Sequence, residues 1–339
     1  GYFSKDKSIL NWRNHRDIEF VYDVGWTHCV CPVEEVIEKD DGVVILMRNP
    51  CFRDCQIKPG VQIGAPSYIE NVFELLSNPG EWYFDKSEGY IYYIPFEGED
   101  MTLCETLIPI TEKLIEIEGT LSNPAQNIEF KGIDFKYTTW LRPSIEGHAE
   151  IQANLVKDPK EDKLLHSTFI KSPSAILIRA SKSIMFKECS FSRFGSGAID
   201  IEYGARDNTI EGCIFTCLAG SGIQIGDFSF SDAHPSDERE IVKNTLVTNN
   251  YFKNIGTEYK GGVAVLAGYV DSLIIKHNEI TEIAYSGISV GWGWGYCDTD
   301  AKERAFFKPP EFYPIYDKPS ICKNNHINFN HIHHVMQKL

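Results

Sequence analysis

The sequence has no run of about 18 apolar residues, the length that a membrane-crossing helix needs, so we expect no membrane span. Positive charge is scarce as well: 33 Lys and Arg stand against 48 Asp and Glu, and the formal net charge is -15. Because a nucleic-acid-binding protein needs a basic surface, we expect no nucleic-acid partner. The absence of a leucine ladder and of long helical periodicity disfavours leucine-rich and helical repeats.

Paired cysteine spacing is also missing. Ten cysteines occur, and Cys29, Cys31, Cys51 and Cys55 cluster without the paired spacing of a zinc ribbon. We therefore predict no metal site and no cofactor.

A short β-rich pattern recurs between residues 174 and 290. Its copies lie at 174–178, 196–201, 221–225, 261–265 and 286–290. Aligning Ile199, Ile223, Val263 and Ile288 gives repeats of 24, 40 and 25 residues (199 to 223, 223 to 263 and 263 to 288). A period in the twenties built from short strands is typical of a solenoid, in which each turn stacks on its neighbours.

Alternation within these strands predicts one continuous interior. Since alternate residues of a strand share a face, we expect Ile199 and Ile201 to point inward together with Ile223, Ile225, Val263, Val265, Ile288 and Val290. At the corners, Asn250, Asn278 and Asn330 are predicted to be stacked turn asparagines that satisfy backbone groups. The predicted fold is all-β, a right-handed parallel β-helix.

Three regions follow from this pattern. Residues 1–55 are predicted to form early coils of the β-helix, and residues 56–112 a small inserted β-subdomain. In that insert we predict a short helix over 69–77 and a hairpin of alternating aromatics at 81–94. The β-helix is predicted over 113–339, with a charged, solvated loop at 157–163. The last repeat motif places its partner strand at position 340, so we expect the chain to end within a coil.

Two repeat intervals contain surplus residues, 226–242 and 291–320, and both follow the same strand of the coil. Loops that leave one edge of successive coils lie side by side. This edge would carry aromatic rings and carboxylates, which suit a sugar site because rings stack on pyranose faces and paired acids hydrolyse glycosidic bonds. The residues that we assign to it are Asp227, Asp232, His234, Tyr269, Trp292, Trp294 and Asp298.

Roles can be assigned because one acid must be protonated and the other ionised. Asp298 lies in sequence beside Trp292, Trp294 and Tyr296 and is the predicted general acid, with Asp227 or Asp232 as its partner. His234 and Tyr269 are predicted to bind hydroxyls, and Glu258 and Tyr259 to form the opposite lip of the cleft.

The outward face of the repeated strand supplies further candidates. Leu177, Asp200, Gln224, Ala264 and Ser289 point outward by alternation, and Glu202 shares the face of Asp200. We assign Asp200 and Gln224 to the substrate-binding set. The simpler alternative is that the acids on this face are merely solvated.

Several motifs resemble bacterial β-helix proteins similar to glycoside hydrolase family 141, which includes α-L-fucosidase and xylanase activities. The resembling segments are 71–85, 130–135, 221–226, 234–237, 285–296 and 330–337. The resemblance implies the β-helix fold and sugar hydrolysis. Similar proteins continue past the last motif with a Gly-Asp-Gly-Gly segment, whose acidic residue the resemblance suggests as a catalytic group.

The predicted function is a secreted or periplasmic glycoside hydrolase that cleaves α-L-fucosidic or xylan-type linkages of an oligosaccharide or polysaccharide. A polysaccharide lyase is one alternative, but it needs an Arg or Lys base, and Lys260 is the exception in a cleft poor in such residues. A glycan-binding or structural solenoid without catalysis is the other. The sequence does not determine the oligomeric state.

Overall fold

Two units make up the chain: Gly1–Ile108 with Leu141–Ala149, and Pro109–Trp140 with Glu150–Leu339. The computed structural model describes residues 1–57, 63–158, 160, 169–291, 297–298 and 318–337. Among these residues, no helix is long and apolar enough to cross a bilayer.

The first unit is built on antiparallel strands. Thr27–Lys39 is its longest strand and pairs with Glu19–Val24 on one side and Gly42–Met47 on the other. The other described elements are the strands Tyr2–Ser4, Tyr68–Glu70, Trp82–Asp85 and Tyr90–Tyr93, the first residues of His148–Gln152, the α-helices Cys51–Ile57 and Arg142–Glu146, and the 3-10 helices Ser8–Asn11, His15–Asp17 and Phe73–Leu75.

These pairings correct part of the sequence interpretation. Residues 1–55 do not form coils of a parallel β-helix, because their strands run antiparallel around a core of their own. The helix predicted over 69–77 is also wrong: a strand, Tyr68–Glu70, is followed by a single 3-10 turn. The aromatic hairpin is confirmed, with Trp82–Asp85 paired antiparallel to Tyr90–Tyr93.

The second unit contains three parallel sheets of six strands each, so the predicted parallel β-helix is confirmed. The first sheet consists of Ile115–Glu118, Ser174–Arg179, Gly197–Glu202, Ile223–Ile225, Val265–Ala267 and Ile288–Val290. The second consists of Ala125–Lys131, Ser181–Lys187, Thr209–Glu211, Leu246–Thr248, Ile274–Lys276 and His326–Asn328. The third consists of Asp134–Lys136, Ser190–Phe194, Ile214–Leu218, Tyr251–Ile255, Glu279–Ile283 and His331–Val335.

Equivalent side chains of successive coils stack inside the β-helix. Phe135, Phe191, Phe215 and Phe252 form a column with ring centroids 5.3, 4.7 and 4.6 Å apart. Near-parallel rings at this spacing add to the apolar area that each buries. The column therefore holds neighbouring coils in register.

The asparagines form a hydrogen-bonded ladder at one corner, as predicted. The Oδ1 atom of Asn278 accepts from the Asn250 backbone N–H at 3.0 Å, and that of Asn330 accepts from the Asn278 N–H at 3.1 Å. Each Nδ2 group donates to a backbone carbonyl. These buried backbone groups would otherwise lack partners at the turn.

The register of the fifth coil differs from the sequence alignment. Ile223 pairs with Val265, and Val265 with Ile288, so Val265 rather than Val263 continues the interior column. Val263 is buried in a separate cluster with Leu155 and Leu266. The outward residue of this coil is accordingly Leu266, which pairs with Gln224, and not Ala264.

Two described stretches, 150–158 and 169–171, cover the outward face of the first sheet. Leu155–Lys157 pairs antiparallel with Phe169–Lys171, and Leu155 packs on Leu266. This cover keeps Asp200, Gln224 and Leu266 out of solvent. Lys157 is itself buried, so its assignment to a solvated loop is wrong; residues 159 and 161–163 of that loop lie outside the described part.

Candidate functional site

A buried lysine gathers three carboxylates at the edge where the first sheet ends. The Lys171 Nζ lies 2.5 Å from Asp200 Oδ1, 3.1 Å from Glu202 Oε2 and 3.0 Å from Asp227 Oδ1. It also donates to the carbonyl of Gly226 at 3.0 Å. The Lys171 side chain is 5% exposed, so all these charges interact in a partly desolvated environment.

Local structure explains why these groups meet. Asp200 and Glu202 are alternate residues of one strand and therefore share its outward face. Asp227 follows the adjacent strand, Ile223–Ile225, across a turn in which Gly226 has a φ of 71°. Lys171 comes from the covering strand Phe169–Lys171 and reaches the sheet from outside.

The cluster carries more negative than positive charge. Burial by itself would lower the pKa of Lys171, but the charges of Asp200, Asp227 and Glu202 raise it well above its usual value, so the amine is protonated. Burial raises the pKa of Asp200 to about 7; the charge of Lys171 opposes this effect, and those of Glu202 and Asp227 add to it. Asp200 therefore takes up a proton near neutral pH, while Glu202 pairs with a second cation, Arg179, at 2.9 Å.

A cavity of about 170 Å³ opens beside this cluster. Asp227, Asp232 and Tyr269, all predicted site residues, line it together. The remaining lining residues are Tyr203, Ser231, Pro235, Glu240, Ile241 and Val242. Tyr203 is 40% exposed and presents an aromatic surface at the cavity wall.

Asp227 and Asp232 have opposite electrostatic surroundings. Asp227 forms an ion pair with Lys171. Burial raises the pKa of Asp232, and the charge of Asp227 raises it further, although hydrogen bonds from Ser229 oppose the change. Asp232 also belongs to the capping box of the helix Phe230–Ala233, in which its Oδ2 accepts from the Ser229 N–H at 2.9 Å. Asp232 therefore holds its proton more readily than an exposed aspartate does, whereas Asp227 lies in an ion pair.

The described parts of the two surplus segments lie in contact. The ring of His234 bonds through Nε2 to the carbonyl of Cys297 at 2.5 Å, and Ile321, directly after the second segment, donates its N–H to the carbonyl of Ala233 at 3.0 Å. Tyr269 packs with Ala233 and Cys297 in one apolar cluster. The segments therefore form neighbouring walls at this edge of the solenoid.

The structure places the predicted residues of the second segment as follows. Asp298 follows Cys297, and its Oδ1 accepts from the Ser320 N–H at 2.6 Å. It is not among the residues that line the cavity. Trp292 and Trp294 lie outside the described residues. His234 also stands back from the cavity, with its ring 4.7 Å from that of Phe230.

Four other predicted residues lie elsewhere or are covered. Gln224 has no exposed surface, because its Nε2 bonds to the Ser172 carbonyl and the Ser174 hydroxyl under the covering strand. Asp200 is 5% exposed beneath Lys171. Neither can contact a substrate directly, which corrects their assignment.

Tyr259 is buried against Trp140, with ring centroids 4.8 Å apart. It and the exposed Glu258 precede the strand Val265–Ala267, whereas Tyr269 follows it. Because a strand separates its two ends, these residues do not form the opposite lip of the cavity. Their assignment to the site is corrected as well.

Lys171, Tyr203 and Glu240 are the site residues that sequence reasoning missed. A sequence signal existed for the first of them: Asp200 and Glu202 share one face, and two acids on a covered face require a cation. The signal did not identify Lys171, since nothing local links position 171 to position 200.

Comparison with known proteins agrees with this architecture. Residues 146–299 match the family model of the right-handed β-helix region. A solved structure named "Glycoside hydrolase" superposes with a TM-score of 0.75 at 31% identity, over 86% of this chain. The chain spans about half of that protein, 53% of its length. No curated protein matches the sequence at a significant level.

The protein is therefore a right-handed parallel β-helix protein. Within that class it is similar in sequence and structure to a glycoside hydrolase.

Proposed function

We propose that the protein hydrolyses glycosidic bonds in the cavity lined by Asp227 and Asp232. The observation that carries this proposal is that the cavity is lined both by a buried acid with a raised pKa, Asp232, and by an acid in an ion pair with lysine, Asp227. Glycoside hydrolysis requires one protonated and one ionised carboxyl group. Asp232 would donate a proton to the leaving oxygen. Asp227, paired with Lys171, would act as the ionised partner. The general acid in this proposal is therefore Asp232, and not Asp298 as the sequence-based assignment had it.

The cavity suits a single sugar ring. Its volume of about 170 Å³ is below the range of about 300–1,000 Å³ for drug-sized ligands. Tyr203 offers the exposed ring on which an apolar pyranose face can stack. The rest of a longer glycan would lie outside on the solenoid surface. We propose α-L-fucosidic or xylan-type linkages, as the sequence resemblance implies.

A reducing-sugar assay against fucosylated oligosaccharides and xylan fragments tests the activity. Asp232→Asn should lower kcat by about 10²–10⁴-fold, the usual contribution of a general acid, and least for a substrate with a good leaving group. Asp227→Asn should lower kcat for every leaving group. If both variants turn over at the wild-type rate, the assignment is wrong.

Asp237→Asn is the matched control for loss of a helix cap. Asp237 caps the 3-10 helix Glu238–Glu240 through its side chain, on the same loop, but does not line the cavity. A loss of turnover in Asp237→Asn equal to that in Asp232→Asn would show that helix capping, not proton donation, explains the effect. Binding of the sugars by wild type without any turnover would instead support the non-catalytic alternative.

The proposal includes export of the protein from the cytoplasm, because large glycans occur outside the cell. Cell fractionation of the native host protein tests it, and recovery in the cytosolic fraction would contradict it.

A further inference from the structure

Four buried cysteines gather in the first unit, whereas the residues that line the proposed sugar cavity belong to the second. The Sγ atom of Cys31 lies 3.3 Å from that of Cys51 and 3.4 Å from that of Cys55, and the latter two are 4.0 Å apart. The Cys29 thiol contacts Cys55. All four side chains are at most 5% exposed.

Secondary structure brings together cysteines that the sequence spacing does not pair. Cys29 and Cys31 are two residues apart on the strand Thr27–Lys39 and share one face. Cys51 and Cys55 are four residues apart on the helix Cys51–Ile57 and also share one face. The spacing differs from that of a zinc ribbon because a strand and a helix, rather than two tight turns, present the thiols.

The separations fit a single tetrahedral ion. Four sulfurs at about 2.3 Å from a central zinc lie about 3.8 Å from one another, and the observed distances of 3.3, 3.4 and 4.0 Å bracket that value. A disulfide would bring two sulfurs to about 2.05 Å, and these four cysteines form no disulfide.

The surrounding backbone lies close to the Cys51 sulfur. The backbone N–H of His148 donates to it. Gly147, at a φ of 86°, packs directly against the Cys51 side chain, where a Cβ would overlap its sulfur. Backbone N–H groups that bond to sulfur are a usual outer layer of metal sites.

We propose that this unit binds one structural Zn²⁺ through Cys31, Cys51 and Cys55, with Cys29 as the fourth ligand. A buried site closed by four thiolates is structural rather than catalytic. Because metal binding stabilises the folded state, the ion would hold the helix Cys51–Ile57 against the strand Thr27–Lys39.

Metal analysis of the full chain, purified without chelator, tests the proposal. We expect one zinc per chain, and at least a tenfold loss of zinc in Cys31→Ser and Cys55→Ser. Cys104→Ser and Cys217→Ser, which change exposed cysteines, should keep it. Iron in place of zinc, or zinc retained in both ligand variants, would overturn the assignment.

A second measurement covers the case in which the ligand variants do not fold. Wild-type protein is alkylated with and without a zinc chelator, and the labelled peptides are mapped under non-reducing conditions. Cys31, Cys51 and Cys55 should become reactive only when zinc is removed. Disulfides among these cysteines, or labelling that is independent of the chelator, would exclude the zinc site.

Discussion

Asp200→Asn tests the charge balance of the buried cluster most directly. Asp200 is buried, and its pKa is raised from 3.8 to about 7 in the folded protein. A group with a raised pKa stabilises the fold fully below its unfolded pKa, and this contribution is lost as the pH rises through the folded pKa. At about 1.4 kcal/mol per pKa unit, the difference corresponds to about 4 kcal/mol lost between about pH 4 and pH 7.

An asparagine at this position removes the titration while keeping the shape and an acceptor for Lys171. We therefore expect the free energy of unfolding of wild type to fall by about 4 kcal/mol, relative to Asp200→Asn, between pH 4 and pH 7. Acids outside the cluster are common to both proteins and cancel in the difference. Guanidinium titrations followed by circular dichroism at each pH measure it.

Asp207→Asn is the control, because Asp207 is a carboxylate of the same solenoid that bonds to Asn244 at 2.8 Å and lies outside the cluster. A pH-dependent difference between Asp207→Asn and wild type as large as that of Asp200→Asn would show that the effect is not specific to the buried cluster. If Asp200→Asn and wild type depend on pH in parallel, then the pKa of Asp200 is not raised in the folded protein.

Three further substitutions test the parts that build the site. Lys171→Met leaves buried carboxylates without their cation and should lower the free energy of unfolding by about 3–5 kcal/mol in guanidinium titration, whereas Lys187→Met, at an exposed pair, should change it by less than about 1 kcal/mol. Asn278→Ala should cost about 2–5 kcal/mol in the same assay, because it leaves buried backbone groups of the ladder unpaired. Gly268→Ala should lower kcat in the reducing-sugar assay, since a Cβ there overlaps the Asp227 backbone. Gly64→Ala, where a Cβ meets open space, should leave kcat unchanged. Equal kcat values for the two variants would contradict this reasoning.

The β-helix could be predicted because its repeat consists of short, similar segments. Alternation determines which face of a strand a residue lies on, but it does not determine the full register between strands. Val263 and Val265 have the same parity, so both were consistent with an inward orientation. A shift of two residues leaves every side chain on its original face. The surplus residues before this strand hid the shift, and only the pairing of Ile223 with Val265 reveals it.

The first unit could be recognised as β-rich but not as antiparallel. Its strands have the same β-branched composition as those of the solenoid, and composition does not report strand direction. A local signal was present: Asp40, Asp41 and Gly42 separate two apolar runs, and such a turn joins antiparallel neighbours. Lys39 pairs with Gly42 across it. A parallel connection would have needed a longer crossover.

The candidate site was only partly predictable, for a related reason. Asp227, Asp232 and Tyr269 follow strands of successive coils, so the repeat itself places them at one edge. Asp200 and Gln224 were assigned to an open surface because alternation gives the face of a strand and not what covers that face. The cover comes from a segment about 30 residues away, whose pairing has no repeat to reveal it.

Lys171 also bears on which reaction the cavity can support. A lyase needs a neutral base to remove the proton beside a uronate, and a lysine serves only if its pKa is lowered toward neutrality. The carboxylates around Lys171 act in the opposite direction and keep it charged. None of the described residues that line the cavity is Lys or Arg, whereas two carboxylates with opposed surroundings are present. The same lysine that is unsuited to be a base forms an ion pair with Asp227 beside Asp232, and the proposed hydrolysis rests on this pair of acids.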